Sequence, residues 1–212
     1  SSISYILSGK TSYLDQSSSV FYPYVETEFD GLPFSFTDLY AKISSTSENG
    51  SNVNLFGFNF IDDVKIDANN QIGWDSRGLG FDFRAIPSTS ALVLKGNMAY
   101  SSYSIEQIQS TGLPRSSEIS GFNGGLDFTY FLRENDELRY GFMAIGYRTD
   151  FRFTNTLGRV ISQTENTTEI AGYFRYKLDL GNRFLIEPGI HAHYYGSLSE
   201  FSLEPRIGMK YM

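Results

Sequence analysis

The chain has 212 residues, no cysteine, a formal charge of -7 and a hydrophobic fraction of 41%. The lack of cysteine excludes a disulfide framework and any thiolate metal site, and the acidic balance argues against a nucleic-acid partner, which would need a basic face. No run approaches the roughly 18 apolar residues of a membrane helix, and no charged segment leads into an apolar core as in a signal peptide.

In chain order, the first strand is predicted over Ile3–Tyr13. A long connection over Asp15–Pro33 leads to a second strand, Phe34–Ser45, and a polar turn at Glu48–Asn52 to a third, Val53–Ile66. The connection Asp67–Asn70 precedes a fourth strand, Gln71–Ile86, in which the apolar phase slips around Trp74–Leu79, as a β-bulge would cause. After a turn at Pro87–Ser90 the alternation is clean: Leu92, Leu94, Gly96, Met98 and Tyr100 oppose Val93, Lys95, Asn97, Ala99 and Ser101. Beyond the connection Ser110–Ser117, the strand Gly121–Arg133 sets Phe122, Leu126, Phe128 and Tyr130 against Asn123, Asp127 and Thr129. A turn at Glu134–Glu137 opens Leu138–Phe153, apolar on both faces near Met143 and Ile145. The connection Thr154–Thr164 leads to Glu169–Leu180, where Ile170, Phe174, Tyr176 and Leu178 oppose Glu169, Arg175 and Lys177. The turn Gly181–Arg183 then gives Phe184–Tyr195, with Phe184, Ile186, Ile190 and Tyr194 against Glu187, His191, His193 and Tyr195, and Ser202–Met212 is the last strand. Successive strand side chains point to opposite faces, so these segments have one apolar and one mostly polar face.

Length separates soluble from membrane sheets. Strands of globular proteins average about 5–6 residues, whereas a tilted strand crossing a bilayer needs about 9–11; most runs here reach 11 or more. Short polar turns alternate with generally longer connections, the pattern of periplasmic turns and outer loops. Tyr5, Tyr13, Tyr40, Tyr100, Tyr103, Tyr130, Tyr140, Tyr194 and Tyr195 fall near strand ends, where interfacial girdles sit. A bilayer admits only helices or closed barrels, because unpaired backbone groups cost several kcal/mol each. The expected fold is therefore all-β: an antiparallel transmembrane β-barrel domain over 1–212, about ten consecutive meander strands. Strand pattern begins at Ile3 and stops at Met212 without a turn or cap, so a part of a larger barrel is expected over a complete ten-stranded one.

Few residues invite chemistry. His191 and His193 share the polar face with Glu187, but i and i+2 side chains lie several ångströms apart, a poor geometry for one tetrahedral ion without a partner strand. They are expected to line a wet interior with no metal, and with Tyr195 and Arg175 they are weak candidates for substrate contact. Asp62 and Asp63 could share a proton as catalytic carboxylates do, yet nothing else in the sequence supports a protease, so no catalytic residue is expected. Gly78-Leu-Gly80 lacks the third glycine and following helix of a dinucleotide site; in a strand it marks bending or close backbone approach. The sequons at Asn49 and Asn166 read as chance matches, and no nucleophile elbow, phosphate loop, zinc-protease helix or cofactor motif is present.

Several segments carry a family likeness. Residues 8–15 (SGKTSYLD), 31–40 (GLPFSFTDLY), 55–63 (LFGFNFIDD), 165–173 (ENTTEIAGY), 191–199 (HAHYYGSLS) and, most characteristically, 204–211 (EPRIGMKY) resemble barrel phrases of TonB-dependent outer-membrane receptors. The likeness is diffuse and spans nearly the whole chain. It implies an integral multi-pass protein of the bacterial outer membrane that imports a scarce nutrient such as a siderophore, glycan or peptide, without enzymatic activity. It also implies partners: outer-membrane lipid, a plug domain and the remaining barrel strands, TonB acting through the plug, and a surface substrate-binding lipoprotein. No plug or TonB-contact segment is found in these residues. The alternatives are a complete small barrel acting as porin, adhesin or omptin-like protease, and a secreted β-sandwich that binds a partner.

Overall fold

Alternation of apolar and polar residues builds one antiparallel sheet, its strands side by side in chain order. The computed structural model describes residues 1–21, 32–67, 70–109, 114–132, 136–181 and 183–211. Its elements are β1 (Ser2–Thr11), α1 (Leu14–Phe21), β2 (Phe34–Thr46), β3 (Asn52–Asp67), β4 (Asn70–Ala85), β5 (Leu92–Ile108), β6 (Arg115–Phe131), β7 (Glu137–Thr154), β8 (Val160–Asp179), β9 (Phe184–Tyr195) and β10 (Glu200–Tyr211). Each strand pairs only with its neighbours in sequence, and β1 and β10 are the two edges, so the sheet is not closed.

Directly opposed residues share a face, which allows the faces to be read across the sheet. One register row runs Leu94, Phe128, Tyr140, Phe174, Ile190, Pro205. The same face carries Ile3, Tyr5 and Leu7 on β1, Leu79, Phe81 and Phe83 on β4, and Phe201, Leu203, Ile207 and Met209 on β10. With Leu39 and Ile43 on β2 and Val53 and Leu55 on β3, all ten strands contribute to an apolar belt. Nothing in the described residues covers it: Leu7 is 81% exposed and Ile207 64%, and Ala171 alone of the hydrophobic residues is buried. A sheet with one apolar face and no core of its own needs an apolar solvent.

The belt stops abruptly at one end. The row Leu79, Tyr100, Phe122, Gly146, Thr168 is followed, two residues on, by Arg77, Ser102, Ser120, Arg148 and Asn166. Beyond it the same face carries Asp75, Glu118 and Asp150. These polar side chains engage one another: Arg77 Nε donates to Ser102 Oγ (3.2 Å), Arg148 pairs with Asp150 (2.6 Å), and Thr164 Oγ1 donates to Asp150 Oδ1 (2.5 Å). A charge on the lipid face costs about 2–4 kcal/mol at the midplane and little at the interface, so this row marks where the belt leaves the apolar slab.

Four sequence expectations need correction. The connections at the polar end are not generally longer than the turns. Except for residues 12–33, the strands there are joined by short segments, 68–69, 109–114, 155–159 and 196–199. The expected loops are instead strand: β5 to β8 continue well past the belt, and β8 reaches 20 residues. On β6 and β8 the added stretches, Arg115–Ser120 and Ser162–Thr168, are mostly polar on both faces, so alternation is lost there while ladder hydrogen bonds persist. Second, the connection after β1 contains α1. Ser12 Oγ accepts from Leu14 N (3.3 Å) in a turn just ahead of the helix, and Ser18 Oγ accepts from Leu32 N (2.5 Å); the run Ser17–Ser19 reads as loop because serine favours caps and turns. The middle of that expected loop, residues 22–31, lies outside the described residues, as do the tips of two others at 68–69 and 110–113. Third, the register runs unbroken through Trp74–Leu79, and the irregularity falls at Lys65/Asp67. Arg77 and Asp75 lie on the belt face beyond its edge, which imitates a phase slip. Finally, Tyr40, Tyr103 and Tyr195 face away from the belt and cannot join a lipid girdle.

The glycines of Gly78-Leu-Gly80 serve close approach. On the inner face the rings of Phe58 and Phe56 from β3 lie over Gly78 and Gly80, and a Cβ at Gly78 would come within 2.7 Å of Phe58.

Candidate functional site

Opposite the belt, β8, β9 and β10 carry the densest group of ionisable and aromatic side chains. Register places Tyr173, His191 and Glu204 in one row, Ala171, His193 and Ser202 in the next, and Arg175, Gly189 and Arg206 on the other side. Gly189 lets Arg175 lie flat: a Cβ there would come within 2.9 Å of Arg175 Cγ. A depression of about 430 Å³ sits over this floor, lined by Tyr173, Arg175, Glu187, His191, Arg206 and Gly208 among others.

The sequence candidates divide into two groups. Glu187 does not join the histidines; it pairs with Arg175 (3.2 Å). Arg175 also lies over the Tyr173 ring, 5.4 Å from its centroid, and Tyr173 Oη donates to Asp127 (2.5 Å). The second group is centred on His193. Its Nδ1 contacts Glu169 Oε1 (2.7 Å), its Nε2 contacts His191 Nδ1 (2.7 Å), and its ring stacks on Tyr195 at 6.0 Å and 8°. Glu204, held by Arg206 (2.6 Å), completes a cluster with His191 and His193 whose ligand-type atoms all lie within 4.8 Å of one another. Sequence reading missed Glu169, Glu204, Tyr173, Asp127 and Arg206. The signal for Glu169 and Glu204 was present: pairing three consecutive meander strands in register sets their acids beside the histidines.

Asp62 and Asp63 lie at the polar end of β3, six strands from the histidines of β9. They border a separate depression with Phe34, Trp74 and Tyr103, and Asp63 Oδ1 accepts from Gln71 Nε2 (3.4 Å). The carboxylates and the histidines are therefore not brought together.

No protein-family model matches the chain, and no curated protein sequence matches it. Solved structures do. The hemophore receptor HasR of Serratia marcescens, captured as a double mutant with its hemophore HasA and heme, matches over 84% of this chain and 32% of its own, with TM-score 0.55 and 12% identity. The outer-membrane transporter YddB of Escherichia coli matches over 84% of this chain and 29% of its own (TM-score 0.58, 12% identity). The siderophore receptor PiuA of Acinetobacter baumannii matches over 83% and 39% (TM-score 0.55, 7% identity). The chain thus spans 29–39% of the length of these proteins. At such identities the likeness is one of fold. An unclosed ten-strand meander, apolar on one face and superposing on segments of far longer outer-membrane receptors and transporters, has the fold of part of an outer-membrane β-barrel wall.

Proposed function

We propose that the chain forms part of the wall of an outer-membrane receptor that imports a scarce nutrient by TonB-dependent transport, and that it is not an enzyme. The observation that supports this reading is the open ten-strand sheet with an uncovered apolar belt, matched to segments of larger receptors. In this reading a plug domain fills the lumen and contacts TonB, while further strands continue from the edges of β1 and β10. The polar inner face of β8–β10 lines the path of the substrate, a siderophore, glycan, peptide or similar compound. HasR is seen with a hemophore, and a surface partner such as a substrate-binding lipoprotein would fit this chain in the same sense.

The test uses the whole gene product. A strain lacking the gene is grown with iron, glycans or peptides limiting in turn. Impaired growth on one of them, reproduced when TonB is disrupted and rescued by the gene, is the expected result. Normal growth on all of them, or uptake that persists without TonB, would overturn the proposal.

Topology follows from the belt. The last residues of β2, β4, β6 and β8 and the first of β3, β5, β7 and β9 lie at the end opposite the polar extensions, together with the start of β1 and the end of β10. That end is assigned to the periplasm. A cysteine replacing Ser17, in α1, should react with a membrane-impermeant maleimide on intact cells, and one replacing Asn49 should not; the reverse labelling would invert the assignment.

A further inference from the structure

We propose that His191, His193 and Glu204 form a binding site for one divalent transition-metal ion, with zinc as the reference ion, on the inner face of β9 and β10. A single strand could not build it, because i and i+2 side chains alone give two ligands and no third. Register supplies what is missing. Glu204 of β10 sits directly opposite His191, and its carboxylate, His191 and His193 each offer a ligand atom within 4.8 Å of the others.

The arrangement also fixes the imidazole tautomers. An ionised Glu169 can only accept, so His193 Nδ1 donates to it across 2.7 Å. The His193 Nε2 lone pair then points at His191 Nδ1, 2.7 Å away. A histidine held from behind by a carboxylate while its other nitrogen faces the ion is the usual support of a metal-binding imidazole. In the metal-free state the His191 Nδ1 proton bridges the two rings. On binding, His191 changes to its other neutral tautomer, Nδ1 giving up its proton as Nε2 takes one from solvent, and both facing nitrogens turn their lone pairs to the ion. Zinc–nitrogen bonds of about 2.0–2.1 Å in a tetrahedron put two nitrogens roughly 3.3 Å apart, so the rings separate by only about 0.6 Å. Three protein ligands leave the fourth position to water or to an incoming ligand. Two imidazoles and one carboxylate suit zinc, copper or nickel, and do not suit magnesium or calcium, which take oxygen ligands.

The test uses the full gene product, purified in detergent, stripped with chelator and titrated with zinc chloride by calorimetry, in excess magnesium. One equivalent should bind. His193→Gln and Glu204→Gln should weaken binding by at least tenfold, and Glu169→Gln, which acts through His193, by about 10–100-fold. Glu187→Gln, on the same face but paired with Arg175, should leave binding unchanged. Each variant is first checked for the heat-modifiable mobility of a folded barrel on gels; where His193→Gln fails that check, His191→Gln replaces it. No zinc bound by the parent protein, equal affinity in the histidine variants, or displacement by magnesium would each overturn the site.

Discussion

Phe174→Arg is expected to prevent assembly of the barrel, while Arg175→Phe, one residue along, should fold in nearly normal yield. Phe174 lies in the row from Leu94 to Pro205, well inside the belt, with 47% of its surface exposed. An arginine there must place its guanidinium in hydrocarbon, at a cost of about 2–4 kcal/mol near the midplane. That is a large fraction of the roughly 5–15 kcal/mol that holds a folded domain together. Arg175 faces the lumen, and its pairing with Glu187 is half-exposed on the arginine side. Such a pair contributes about 0–1 kcal/mol, so its loss is tolerable in a wet interior. Urea unfolding of the complete protein in lipid vesicles reads the difference directly. Equal destabilisation by the two variants would show that the faces have been assigned the wrong way round.

The second large effect concerns the edges. Expressed alone, the 212 residues should not yield the compact, heat-modifiable band of a closed barrel. β1 and β10 each present one unpaired side, over 10 and 12 residues. Within the slab neither water nor lipid can satisfy those N–H and C=O groups, and each costs several kcal/mol. The total exceeds any net stability a domain of this size could supply, so the isolated sheet would aggregate through its edges or remain unfolded. A compact band together with discrete ion conductance in planar bilayers would mean that β1 and β10 can close on each other, and would favour a small barrel.

Most of the wall was legible in the sequence, because period-2 alternation is imposed wherever one face meets lipid and the other water. Phe184–Tyr195 has the bounds its alternation predicts, and the strand ends that meet the short turns fall within a residue or two of expectation. The signal failed where its physical cause ends. Residues 162–168 of β8 are polar on both faces and pair fully with β7, yet nothing in their pattern separates them from a loop. The His191–His193 pair is visible as a lumen-facing motif, but alternation along one strand does not show which residues of its neighbours lie beside it. Glu187, nearest in sequence on the same strand, belongs to Arg175, whereas Glu169 and Glu204 come from the neighbouring strands. Pairing across strands decides such sites, and distance along the chain does not.

The hairpin of β7 and β8 has a consequence for how anything arriving from outside is met. Val160 lies six residues past Asn166, roughly 20 Å farther along the strand at about 3.3 Å per residue. Its turn is tied down as well, with Asn155 Oδ1 accepting from Leu157 N and Arg159 N and Gly158 in the left-handed region. A flexible loop of that length would surrender about 1–2 kcal/mol of backbone freedom per residue on closing over a guest. Here that freedom is already spent in folding, so under the topology proposed above this stretch would stand at the mouth as a stiff collar.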